Sequence, residues 1–283
     1  MTDERAHVEV PSSDGVTIAL HDFGGDGEPF LLCHATGFLG RAYAPLAAEL
    51  EPSFHVWALD FRGHGDSTAP ADDRFDWSVF TDDLLSVIDA LGTEPIHAFG
   101  HSLGGGVLML AEQRRRGSLR SAFLFEPIVI PALEGVLPAG PSSMGDAARR
   151  RRSVFPTKAE ALHRYASRPP LNELRADALY AYVEHGFFTL PDGSAQLKCR
   201  PEHEAATFEA SGKPTLETVA DIDTPVTVAI GTTTQGWTPA DFGEQVADAL
   251  PNGHLERHPS LGHFGPLQDP VAIAESIVAA THG

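Results

Sequence analysis

Between Phe30 and Phe125 the chain repeats one pattern, a short run that is apolar throughout followed by an amphipathic helix. Residues 30–33, 54–59, 96–99 and 121–125 read as strands. Tyr43, Leu46, Ala47 and Leu50, and then Phe80, Leu84, Ile88 and Leu91, recur at helical spacing. A strand without a polar face has no side to give to water, so these strands must lie in a mostly parallel sheet with helices on both faces, an α/β fold. Residues 8–10 and 16–20, joined by a Pro-Ser-Ser-Asp-Gly turn, add a hairpin at a sheet edge. Residues 225–231 and 254–258 resume the strand pattern, with a helix at about 240–250 and another after Asp269-Pro270. Between them, residues 127–222 hold Pro-rich turns and helical patterns at 159–166 and 172–185 without a clear strand. They read as an inserted helical cap, leaving 1–126 and 223–283 as the core domain. A chain of 283 residues with 42% hydrophobic content suffices for one large core.

The most specific segment is Gly100-His101-Ser102-Leu103-Gly104, set between the strand 96–99 and a helix that begins near Leu103. G-x-S-x-G at a strand-to-helix turn needs its glycines because the sharp turn leaves no room for neighbouring Cβ atoms, and it holds the serine hydroxyl out from the sheet. The first helical N–H groups and the helix dipole favour negative charge at the same place. Ser102 is therefore the candidate nucleophile, and an unassisted hydroxyl needs a base.

Composition excludes several alternatives. A net charge of −19 opposes binding to nucleic acid or to an anionic membrane by bulk electrostatics. Two cysteines, Cys33 and Cys199, provide no disulfide framework, and Cys33 reads as a small buried hydrophobe. The polar start M-T-D-E-R-A-H and the lack of a long apolar run predict a cytoplasmic protein. The arginine run 114–116 suits the last turn of a helix, and the run 149–152 reads as a solvated helix face. No H-E-x-x-H, paired C-x-x-C or G-x-G-x-x-G occurs, so no metal or organic cofactor is implied.

With G-H-S-L-G-G at 100–105, D-F-R-G-H-G-D-S at 60–67, H-A-T-G-F at 34–38 and G-H-F-G-P-L-Q-D-P at 262–270, nearly the whole chain resembles the α/β-hydrolase-fold family, in its serine hydrolases with a helical cap. The resemblance implies a base at His263, in the Gly-flanked loop after the last strand. His258 is then structural, His101 is held facing elsewhere by the elbow, and His34 stabilises its own loop. Many relatives carry the orienting acid as G-x-x-D after the strand that follows the cap. Here residues 231–237, G-T-T-T-Q-G-W, hold no carboxylate. Glu126, at the end of the strand after the nucleophile helix, occupies the alternative position of some haloalkane dehalogenases; Asp241 and a His263 dyad without an acid are the alternatives. The resemblance also implies oxyanion donors at the N–H groups of Thr36 and Leu103. Phe38, Trp237 and Phe264 flank these loops as candidate pocket residues. The implied reaction is acyl transfer from a largely apolar small-molecule ester, lactone or thioester to Ser102. Carbon–carbon bond hydrolases, lyases and cofactor-free perhydrolases share the triad, and some relatives with it act as small-molecule receptors.

Overall fold

The strand residues of the computed structural model, which describes residues 7–131, 140–233 and 238–282, divide by parity between two hydrophobic clusters. Phe30 and Leu32 point into one and Leu31 and Cys33 into the other; Phe99, Phe123 and Phe125 join the first, Ala98, Ala122 and Leu124 the second. That division requires a sheet buried on both faces. Its first six strands are β1 (Val8–Pro11), β2 (Thr17–Gly24), β3 (Glu28–Cys33), β4 (Phe54–Leu59), β5 (Ile96–His101) and β6 (Leu119–Phe125). The helices between them are α1 (Ala44–Leu50), α2 (Trp77–Leu91) and α3 (Leu103–Arg114).

Residues 143–219 contribute no strand to this sheet. They form α4 (Ser143–Arg149), β7 (Val154–Phe155), α5 (Lys158–Ala166), α6 (Ala176–Gly186), β8 (Phe187–Thr189), β9 (Ala195–Leu197), α7 (Pro201–Glu209) and α8 (Leu216–Val219). The main sheet resumes with β10 (Val226–Gly231), followed by α9 (Gly243–Ala249), β11 (Gly253–His258), α10 (Gly265–Gln268) and α11 (Pro270–His282). Its order is β1-β2-β4-β3-β5-β6-β10-β11. β1 and β2 pair antiparallel, as do β2 and β4, and every other pairing is parallel. The expected edge hairpin and parallel core are both present. Residues of α1 and α11 pack in the first cluster and those of α2, α3 and α9 in the second.

One expectation needs correction. The stretch read as free of strands carries a second, three-stranded antiparallel sheet, β7-β9-β8. Its β8–β9 hairpin turns at Asp192-Gly193, where Gly193 takes φ +85° and its N–H meets the Leu190 carbonyl at 2.9 Å. Around it Phe155, Tyr165, Tyr182 and Phe187 extend the first cluster, which continues through Phe38 and Leu39 into the main sheet's packing.

Candidate active site

Ser102 sits where β5 meets α3, in a backbone conformation, φ 54° and ψ −109°, that costs an L-residue on the order of 1–3 kcal/mol. Packing holds it there. The Ser102 N–H donates to Phe125 O at 3.0 Å, and its carbonyl accepts from Ile128 at 3.0 Å and Gly106 at 3.2 Å. A Cβ on Gly100 would stand 2.5 Å from Gly105 Cα, and one on Gly104 would stand 2.2 Å from the Cys33 carbonyl oxygen. The elbow therefore lies directly against the end of β3, as the motif requires.

Glu126, at the end of β6 on the neighbouring strand, also has a left-handed backbone, φ 44°. Its N–H is fixed to Ala229 O at 2.8 Å. The carboxylate is fully buried: Oε1 accepts the Gly231 N–H at 3.0 Å, and Oε2 stands 2.6 Å from His263 Nδ1. A carboxylate without solvent and with both oxygens engaged has no freedom to turn away, so it fixes the His263 ring and places the proton on Nδ1. The structure thus brings together Glu126 and His263. Asp241 is used elsewhere, accepting the Thr238 N–H at 2.9 Å in a helix-capping box.

The loop at residues 34–40 follows β3 and faces the elbow. His34 Nδ1 donates to Ala35 O at 2.8 Å, and Nε2 accepts the Phe61 N–H at 2.9 Å, so this ring ties its own loop to the next one. Burial lowers its pKa to about 3 and keeps it neutral. Asp60 gathers three segments, accepting from Gly40 N at 2.6 Å and Asp66 N at 2.8 Å and meeting His21 Nε2 at 2.9 Å. The N–H of Leu103 opens α3, where no preceding helical carbonyl can reach it. Neither it nor the Thr36 N–H has an acceptor among the described residues.

Phe38 is buried, with its ring 5.0 Å from that of Tyr182 and 5.5 Å from that of Phe264. Phe264 in turn lies 5.5 Å from the His263 ring. Two of the three expected aromatics therefore adjoin the site, and Trp237 lies outside the described residues. The arginine run at 149–152 is not simply a solvated face. Arg151 turns inward, pairs with Glu204 at 2.8 Å, bonds the Tyr182 hydroxyl and lies over the Tyr165 and Tyr182 rings. Tyr182 also donates to Gly37 O at 3.1 Å, next to Thr36. The sequence signal for this cluster is weak, because an arginine repeat and a tyrosine on a helix stripe suggest surface and core. The run at 114–116 meets carboxylates on α2 and nearby loops.

Residues 30–276 match the alpha/beta hydrolase family, and the chain belongs to it. A 117-residue stretch is 37% identical to the non-heme chloroperoxidase CPO-A1 of Kitasatospora aureofaciens, covering 41% of this chain and 42% of that protein. The chain spans less than half the length of the first curated relatives it matches. Two solved structures share the fold over nearly the full chain. E-2-(acetamidomethylene)succinate hydrolase superposes with a TM-score of 0.76 at 20% identity, covering 98% of this chain and 100% of that one. The esterase RhEst1 from Rhodococcus sp. ECU1013 does so with 0.74 at 22% identity, covering 97% and 98%. No helix among the described residues is long and apolar enough to cross a membrane.

Proposed function

We propose that the protein is a carboxylesterase-like serine hydrolase that acts on an ester, lactone or thioester through an acyl-enzyme on Ser102. The observation that carries this reading is the 2.6 Å contact between His263 Nδ1 and the fully buried Glu126, on the strand beside the elbow. With the proton held on Nδ1, Nε2 is the basic nitrogen and takes the Ser102 proton as the hydroxyl oxygen adds to the carbonyl. The tetrahedral oxyanion is received by the N–H groups of Thr36 and Leu103. The imidazolium, stabilised by Glu126, returns its proton to the leaving group as the intermediate collapses. Water, deprotonated by the same nitrogen, then adds to the acyl-enzyme and releases the acid and Ser102.

In this reading residues 127–222 are a cap that selects the substrate, and the aromatic rings of Phe38, Phe264 and Tyr182 favour a largely apolar acyl group. The similarity to a non-heme chloroperoxidase favours one further reaction of the same acyl-enzyme, in which hydrogen peroxide replaces water and yields a peracid. A fluorophosphonate probe tests the nucleophile. It should label Ser102 in the wild type and nothing in Ser102→Ala, which should fold normally and lose turnover of an activated ester. Labelling of another serine in a folded, active protein would refute the assignment. Peracid formation from the same ester with added peroxide separates the two reactions.

A further inference from the structure

His101 is fully buried and has no part in the proton transfers of acyl transfer, yet both ring nitrogens are committed. Nε2 lies 2.7 Å from the backbone carbonyl oxygen of His263, which can only accept, so Nε2 carries the proton. Nδ1 must then accept, and the group 2.7 Å away is the Tyr43 hydroxyl, which donates. The same hydroxyl receives the Ala35 N–H at 3.2 Å. The donors therefore run in one direction, from Ala35 through Tyr43 and His101 to the carbonyl of His263. A protonated ring would have no acceptor for Tyr43. Burial, reinforced by the neighbouring His263 ring, keeps His101 neutral by holding its pKa well below 6.5.

The two ends of this chain of bonds matter. Ala35 immediately precedes Thr36 in the candidate oxyanion loop, and His263 is the candidate base. We propose that Tyr43 and His101 are positioning residues that fix the spacing between the oxyanion loop and the base, so that both meet the same tetrahedral intermediate on Ser102. The proposal rests on the serine-hydrolase reading. Because misplacement by about 1 Å can cost 10²-fold in rate, a buried linkage between two loops so far apart in sequence acts on the acylation rate while leaving ground-state binding nearly untouched.

The test compares wild type, Ser102→Ala, Tyr43→Phe, His101→Leu and His101→Gln, using fluorophosphonate labelling and single-turnover acylation by p-nitrophenyl acetate. Tyr43→Phe and His101→Leu should slow acylation about 10-fold or more, with the half-saturating ester concentration little changed. His101→Gln, which keeps one donor and one acceptor on a planar group, should recover most of the rate. The Tyr43→Phe/His101→Leu pair should be no slower than His101→Leu alone, since both changes cut one chain. An independent readout is the proton NMR resonance of the His263–Glu126 bond, which should move in Tyr43→Phe even though that variant alters neither partner. An unmoved resonance, a wild-type rate in Tyr43→Phe, or equal loss in the Gln and Leu variants overturns the positioning role. In those cases labelling at Ser102 that is lost in Ser102→Ala leaves the serine-hydrolase reading standing. A wild type that neither labels nor acylates overturns both.

Discussion

Glu126 has one hydrogen-bond acceptor task on each oxygen, toward Gly231 N–H and toward His263 Nδ1. Glu126→Gln preserves volume and can satisfy Gly231 with its carbonyl oxygen, but then turns an NH₂ toward a nitrogen that should also donate. The His263 ring must adopt the other tautomer or rotate, and it loses the charge that stabilises the imidazolium. A fall of about 10² to 10⁴ in kcat is expected by analogy with the matching change in serine-protease triads. Asp241→Asn keeps the capping acceptor and should leave the rate nearly unchanged. Single-turnover acylation by one activated ester distinguishes them, and a near-wild-type rate for Glu126→Gln would mean that His263 is oriented by another group. Glu126 was singled out through the family resemblance, because some haloalkane dehalogenases of this fold carry their acid at the same strand end, and its part as the orienting acid is what these variants test. Tyr43 was not legible. Its spacing with Leu46 and Leu50 reads as an apolar stripe, and only the folded loop reveals that its hydroxyl is in use between Ala35 and His101.

At the scale of elements, the loop after β4 is fastened to α2 by a buried ion pair. Arg62 is fully buried, with Nε 2.7 Å from Asp83 Oδ2 and Nη2 2.8 Å from Oδ1, and Ser12 Oγ adds a bond of 2.5 Å to the same carboxylate. Asp14, 3.2 Å from Nη1, compensates only in part because it is partly exposed. Asp83→Asn leaves a guanidinium short of its counter-charge inside the protein, and should lower unfolding free energy by about 3 kcal/mol in urea titrations. An unchanged midpoint would show that Asp14 and Ser13, whose Oγ accepts from Arg62 Nη2 at 2.9 Å, suffice. The main elements themselves were readable from apolar periodicity, which burial on two faces imposes. The β7-β9-β8 sheet was not, because strands of two or three residues leave no period to detect; Asp192-Gly193 was its one local sign. Arg151 was misjudged for a similar reason. Whether a long cationic side chain lies in water or over two tyrosine rings is decided by the packing of α5, α6 and α7, and a run of arginines is silent on that.

Across the whole molecule, histidine burial dictates the response to acid. Burial lowers His34 to about 3 and His185 to about 4, and is the main cause of the lowered values at His64, His97, His101 and His203. In the unfolded chain such rings accept a proton below an ordinary pKa of about 6.5, whereas in the fold they resist it. Their stabilising effect is therefore complete above that value and is lost as pH falls toward the depressed folded values. For His34 alone the loss is roughly 2 kcal/mol by about pH 5. Titration of the −19 net charge relieves self-repulsion and acts the other way, but on exposed groups that salt screens. In about 0.15 M salt the thermal midpoint should fall between about pH 7.5 and pH 5. A flat or rising midpoint would show that the surface term prevails.

Gly104 brings no side chain of its own to its contact with the Cys33 carbonyl. Most neighbouring elements in a protein touch through rotatable groups, which behave as a compliant layer and let one element drift against the other. Here helix and strand end meet backbone to backbone, with the proposed oxyanion donors of Thr36 and Leu103 on either side of the contact. The two donors are then parts of a single stiff joint. Thermal motion can tilt or translate that joint within the molecule, but it has little in the contact to stretch, so the gap proposed to receive the oxyanion should keep its width while the surrounding layers breathe.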